Sequence, residues 1–280
     1  MNRRDFLSGS AAAAVGAGLA GIPTAQAQPP GGQEIPRRKA RTTKMFKAPG
    51  LYPNGLAVAP EGLWIAQQIE PPGADEAAWL VDWNGKLLKT VMTKSRTTSG
   101  MAYGNGCIWM GANSAPEGFF QTDMNSQTLR HLQIPLGLPD NGGGTHGAQW
   151  HDGKIWIVAN RLRGNLRVDP ATWTPEFMIP IYTGDDRPRW HDMTFDDQGF
   201  IWQVSGNAST SPADGKAGLI KYDATTGKVL ELVDLEPGSC DPHGLEFHDG
   251  KFISCDSGEH PGWPLAASPT TGWIFSIDLV

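Results

Sequence analysis

Three observations predict an all-β fold, a β-propeller of five four-stranded blades. One phrase recurs five times along the chain, at a period of about 46 residues, a spacing that marks propeller blades or helical solenoids. Each copy holds short runs with alternating apolar residues, four in every copy but the last, separated by turn signals. Helical periodicity is absent beyond the N-terminal segment.

The clearest copy opens on Pro242-His243-Gly244-Leu245, turns at His248-Asp249-Gly250 and continues as Lys251-Phe252-Ile253-Ser254-Cys255-Asp256. The other copies open on Asn54, Ser99, His146 and His191. Their turns include Gly104-Asn105-Gly106 and His151-Asp152-Gly153, and Asn-Gly or Asp-Gly between alternating runs is the strongest short hairpin signal. The second strand carries Trp64, Trp109, Trp156, Trp202 or Phe252 at one equivalent place, which suits packing of blade on blade. The third strand ends in aspartate each time, at Asp82, Asp123, Asp169, Asp223 and Asp278. A fourth strand follows in four copies, but the fifth stops after its third, at Val280. The unpartnered stretch at about residues 43–48 is expected to supply the missing strand and close the ring, which removes the open edges of an unclosed sheet.

The N-terminus is read separately. Arg3-Arg4-Asp5-Phe6-Leu7, an alanine-rich apolar stretch and Ala25-Gln26-Ala27 form a secretory leader over residues 1–27. The paired arginines resemble the twin-arginine export signal, which implies a partner in that export machinery and a periplasmic or secreted product. The apolar stretch is too short to span a bilayer, so no transmembrane anchor is expected after cleavage. Residues 28–42, rich in Pro, Gly and charge, read as a linker, and residues 43–280 as one propeller domain. The formal net charge of −6, without a basic stripe, argues against nucleic acid as a partner. Three cysteines stand in an oxidising compartment; Cys240 and Cys255 either pair or remain buried thiols.

Connection lengths give the ring a functional face. Links from first to second strand are tight, whereas links from second to third strand and between blades are long. Both long classes fall on the face where the inner strands begin, and long loops on a rigid scaffold carry binding sites. There the five openers Asn54, Ser99, His146, His191 and His243 should meet around the axis. Three histidines from consecutive blades suit a transition metal such as Zn, Fe, Mn or Cu, with His146, His191, His243 and Asn54 as ligands. The alternative is a hydrogen-bonded plug in a narrow channel. A second polar ring, Gln68, Asn113, Asn160 and Asp256 with Gly206 in the fourth copy, either orients ligands or caps strand ends. Glu246 is a candidate ligand or base, and His260 in the last long loop a candidate acid or base. Arg161, Arg163, Arg187 and Arg189 are candidates to hold an anionic group of a small-molecule substrate, with Arg161 foremost.

Pro53-Asn54-Gly55-Leu56-Ala57 and Pro242-His243-Gly244-Leu245, each followed by a turn and a Trp or Phe strand, resemble the repeats of streptogramin (virginiamycin) B lyase-like and SMP-30/gluconolactonase-like propellers. The resemblance implies a metal near the axis and activity on esters or lactones, by elimination in the lyases and hydrolysis in the lactonases. Asn54 matches the lactonase-type position and His243 the lyase-type position. The five blades and the histidine-rich ring depart from both. The function expected is metal-dependent C–O bond cleavage, with a non-catalytic binding propeller as the alternative. A glutaminyl cyclase-like enzyme ranks third, because that family's glutamate-containing phrases are missing.

Overall fold

The computed structural model describes residues 21–25, 34–68, 75–136, 145–185, 187, 189–206, 217–258 and 271–280. Among the described residues, twenty strands form five blades. Blade 1 holds β2 (Pro53–Ala59), β3 (Gly62–Gln67), β4 (Glu76–Val81) and β5 (Leu87–Thr93). Blade 2 holds β6 (Thr98–Gly104), β7 (Cys107–Ala112), β8 (Gly118–Thr122) and β9 (Thr128–Leu132). Blade 3 holds β10 (Gly147–His151), β11 (Lys154–Ala159), β12 (Gly164–Val168) and β13 (Pro175–Pro180). Blade 4 holds β14 (Arg189–Phe195), β15 (Ile201–Gly206), β16 (Gly218–Tyr222) and β17 (Val229–Leu235). Blade 5 combines β18 (Leu245–His248), β19 (Lys251–Cys255) and β20 (Trp273–Leu279) with β1 (Arg37–Lys47).

Local chemistry explains the meanders. Asn105-Gly106, Asp152-Gly153 and Asp249-Gly250 each place two consecutive residues at positive φ, the turn whose twist matches a two-residue hairpin. The recurring aspartate holds the turn after the third strand. Asp82 Oδ1 accepts from the amides of Asn84 and Lys86, both at 2.9 Å, and Asp123, Asp169 and Asp223 do the same in their blades. These bonds stabilise the carboxylate, so Asp169 and Asp223 lie below the usual carboxylate range. The Lys154 ammonium is the larger influence on Asp169, and the Thr226 amide on Asp223. In blade 5 no such turn follows, and Asp278 accepts from Thr43 of β1 at 2.9 Å instead.

Among the described residues the core is split into five clusters, each between two neighbouring blades. Trp64 packs with Met101, Ile108 and Met110, Trp109 with Ala148 and Ile155, Trp156 with Met193 and Phe195, and Trp202 with Leu245 and Phe252. The fifth joins Leu56, Leu63 and Ile65 to Ile253, Cys255 and Ile274. The repeated tryptophans are thus seam fillers, as the sequence suggested. All three cysteines are buried, and burial pushes the Cys255 thiol up.

Ring closure follows the expected scheme with corrected boundaries. β1 begins at Arg37, so residues 37–42 are strand rather than linker, and the domain starts before residue 43. β1 runs antiparallel to β20 from Ala40 to Lys47. Its first residues also lie parallel to β17, Arg37 opposite Leu232 and Ala40 opposite Leu235. Blades 4 and 5 thereby become one eight-stranded sheet. Among the described residues no helix is long and apolar enough to cross a membrane.

Candidate active site at the hub

The inner strands β2, β6, β10, β14 and β18 touch in sequence, and β18 returns to β2. Glycine makes this close approach possible. A Cβ on Gly55 would lie 2.9 Å from the Met101 amide nitrogen, on Gly100 2.7 Å from the Gly147 carbonyl carbon, and on Gly244 2.9 Å from the Asn54 carbonyl oxygen. Blade 4 breaks the pattern with Asp192. Its Oδ1 accepts from the amides of Ala148 (3.1 Å) and Met193 (2.9 Å), and its Oδ2 from Leu245 (3.2 Å). One carboxyl thus ties the inner strands of blades 3, 4 and 5. Burial pushes Asp192 well above the usual carboxylate range, against the pull of those three N–H groups.

At the open end the three imidazoles do meet. The rings of His146 and His191 have centroids 5.7 Å apart, and those of His191 and His243 4.2 Å apart, both pairs tilted. His191 and His243 are buried at 1% and 2% exposure, whereas His146 is half-buried and so the most accessible of the three. Blades 1 and 2 fill their side of the hub with neutral groups. Asn54 Nδ2 donates to Gln68 Oε1 at 2.6 Å, and Gln68 Nε2 donates to Ser99 Oγ at 3.2 Å. The hub is therefore divided into an amide and hydroxyl half and a titratable half.

Three residues further along the same strands, Glu246 closes the titratable half from below. Gln149 Nε2 donates to Glu246 Oε2 at 2.9 Å and to Thr194 Oγ1 at 3.0 Å. Burial pushes Glu246 up to about 7, only partly opposed by these donors. This side chain is 3% exposed and changes charge near neutrality.

The second ring is mostly structural. Asn160 Nδ2 donates to the Trp190 carbonyl at 2.9 Å, and Asp256 accepts from the amides of Gly258 (2.9 Å) and Asp241 (3.3 Å). Asn113 uses its backbone amide to bond Arg96 and Thr97. Gly206 is the informative member. A Cβ there would lie 2.8 Å from His191 Nε2 and 3.0 Å from Asp241 Oδ1, so the missing side chain gives both groups their space. Asp241 also approaches His243, its carbonyl 3.3 Å from Nδ1. Sequence reasoning missed Asp241, because it precedes a repeat and has no counterpart in the other copies.

The arginines disperse. Arg161 is exposed and pairs with Glu117 of blade 2 at 3.5 Å, which puts it at a blade seam. Arg163 is exposed at a turn, and of Arg189 only the backbone is described. Arg187 is not a ligand arm on the open face: its side chain is fully buried, pairing with Asp185 (2.8 Å) and Asp234 (2.9 Å). His260, Glu259 and most of the long loops lie outside the described residues.

The resemblance implied a resident metal. Among the described residues no group of three or more His, Cys, Asp or Glu side chains is arranged to hold one. His146, His191 and His243 come together at the hub, and Asn54 is engaged with Gln68 in the amide chain.

No protein-family model and no curated protein matches the chain. Solved structures do. The chain is similar to a glutaminyl cyclase from Myxococcus xanthus at 14% identity, over 88% of this chain and 100% of that one, with a TM-score of 0.59. It is similar to a chain of a nidogen/laminin complex at 12% identity, over 74% and 73%, with a TM-score of 0.50. Virginiamycin B lyase from Staphylococcus aureus matches at 14% identity, over 84% and 69%, with a TM-score of 0.48. At these identities what is shared is the fold.

Proposed function

We propose that the hub is an active site that cleaves a C–O bond in a small ester or lactone by proton transfer. The observation that supports it is the clustering of three imidazoles from consecutive blades above a buried carboxyl that titrates near neutrality. Imidazole is the ordinary side chain suited to exchanging a proton near neutral pH, as general acid–base chemistry requires. His146, the most accessible imidazole, is the base. In elimination it takes the proton β to the ester oxygen, the C–H electrons form the double bond, and a carboxylate leaves without needing a proton. In hydrolysis the same nitrogen takes the proton from a water whose oxygen bonds to the acyl carbon, the acyl C–O bond breaks, and the departing alkoxide takes that proton back. His191 and His243 lie behind it and spread the positive charge, with the Asp241 carboxyl beside His191. The leader makes export by the twin-arginine route the corresponding cellular reading.

The test is a panel of lactones, cyclic esters and an N-terminal glutaminyl peptide, the last because a bacterial glutaminyl cyclase shares the fold. Mass spectrometry separates the outcomes: hydrolysis adds one water, elimination adds none, and cyclisation of glutamine loses ammonia. His146→Ala should lower turnover by about 10²- to 10⁴-fold while leaving the circular dichroism spectrum unchanged. Undiminished turnover in this variant overturns the assignment. A stoichiometric transition metal found by elemental analysis of active protein would return the imidazoles to a metal centre. Ligand binding without turnover would leave the propeller a binding protein.

A further inference from the structure

Among the described residues upstream of β1, residues 23–25 touch the propeller at blade 3. Thr24 bridges Met178 of β13 in parallel. Ala25 N donates to the Met178 carbonyl at 2.9 Å, and Met178 N donates to the Pro23 carbonyl at 3.1 Å. Both backbone groups of Met178 therefore point out of the blade, and residues 23–25 occupy them. The Ala25 side chain packs on the cluster between blades 3 and 4. An outermost strand is an open template for a further strand. Here the N-terminal region covers two such edges in the same parallel sense, β13 with residues 23–25 and β17 with residues 37–40.

Ala25 has a second claim on it. It is the first alanine of Ala25-Gln26-Ala27, the processing signal of the leader. A peptidase that reads this signal needs Ala25 in an extended chain within its own cleft. One N–H cannot serve two acceptors, nor one methyl group two pockets.

We propose that the outer edge of β13 is a docking surface for the last residues of the leader, and that the folded precursor thereby withholds its own cleavage site. The occupant is the segment 23–25 of this same chain. The proposal rests on the leader reading and is independent of the chemistry at the hub.

Two measurements test it. Amide exchange of Met178 is followed by NMR in the full-length chain and in the processed chain beginning at Gln28. Exchange about ten-fold or more faster in the processed chain is expected, since the Pro23 carbonyl that accepts from it is gone. Equal exchange overturns the docking. In parallel, leader peptidase is given the folded full-length protein and a synthetic peptide covering residues 18–32. The peptide should be cut after Ala27 about ten-fold faster than the folded protein. Equal rates overturn the withholding, and a peptide that is not cut after Ala27 overturns the leader reading and the proposal with it.

Discussion

Glu246 shows how one buried side chain sets a pH response. Its carboxyl is pushed up to about 7 by burial, from an ordinary value of 4.5. Between these values the native state holds a proton that the unfolded chain has released. Stability therefore falls as pH rises through this window, and the full contribution is present only below about 4.5. The loss is on the order of 3 kcal/mol. Asp192, shifted in the same direction, adds to the slope of the wild type, so the informative quantity is a difference. Urea unfolding of wild type and Glu246→Gln from pH 4 to 8 should give curves that coincide below about pH 4.5 and draw apart up to about pH 7, with the variant the more stable. Parallel curves would show that Glu246 is not the proton-holding group. The sequence placed Glu246 beside its histidine but not its state, because that state is set by burial at the hub, opposed in part by Gln149 and Thr194 of two other blades. The five openers were legible because a repeat makes equivalent positions stand out. Asp241 and the proton-rich character of only half the hub were not, since neither recurs.

Among elements, β1 was read only in part. Its second half carries Met45 and Phe46, while its first half is Arg37-Arg38-Lys39, which has the composition of a linker. That half is an outermost strand whose side chains face water and ion pairs rather than a core, so no apolar alternation betrays it. Arg37 Nη2 meets Asp185 at 2.8 Å and Nη1 meets Asp234 at 2.7 Å, and the buried Arg187 holds the same two carboxylates. Arg38 pairs with Glu231, its Nη2 2.9 Å from Oε2. The two arginines on Asp185 differ in burial, at 42% and 0% side-chain exposure, and this decides their worth. Arg37→Ala should cost under about 1 kcal/mol, and less at high salt. Arg187→Ala leaves Asp185 buried with one partner gone and should cost about 3–5 kcal/mol, with little salt dependence. Urea unfolding at low and high salt checks both, and equal costs would contradict this assignment of roles.

For the molecule as a whole, the decisive feature is that five seams share the core and each needs both of its blades. No blade has an interior of its own, because the large side chains Trp64, Trp109, Trp156 and Trp202 all reach across to a neighbour. Cooperativity must then run around the ring, and β1 is the one strand that joins the end of the chain to its beginning. Removing residues 1–36 leaves β1 intact and should change the thermal midpoint little. Removing residues 1–47 strips the outer strand of blade 5 and uncovers β17 of blade 4, which opens two hydrogen-bonding edges at once. That shorter chain should lose its single sharp transition and associate on size exclusion. A synthetic Arg37–Lys47 peptide added in excess should restore both the transition and the monomer, because a strand that binds only the native ring stabilises it by mass action. A shorter chain that stays monomeric and melts in one step without the peptide would show that the seams alone hold the ring, and that the N-terminal strand decorates a closure already complete.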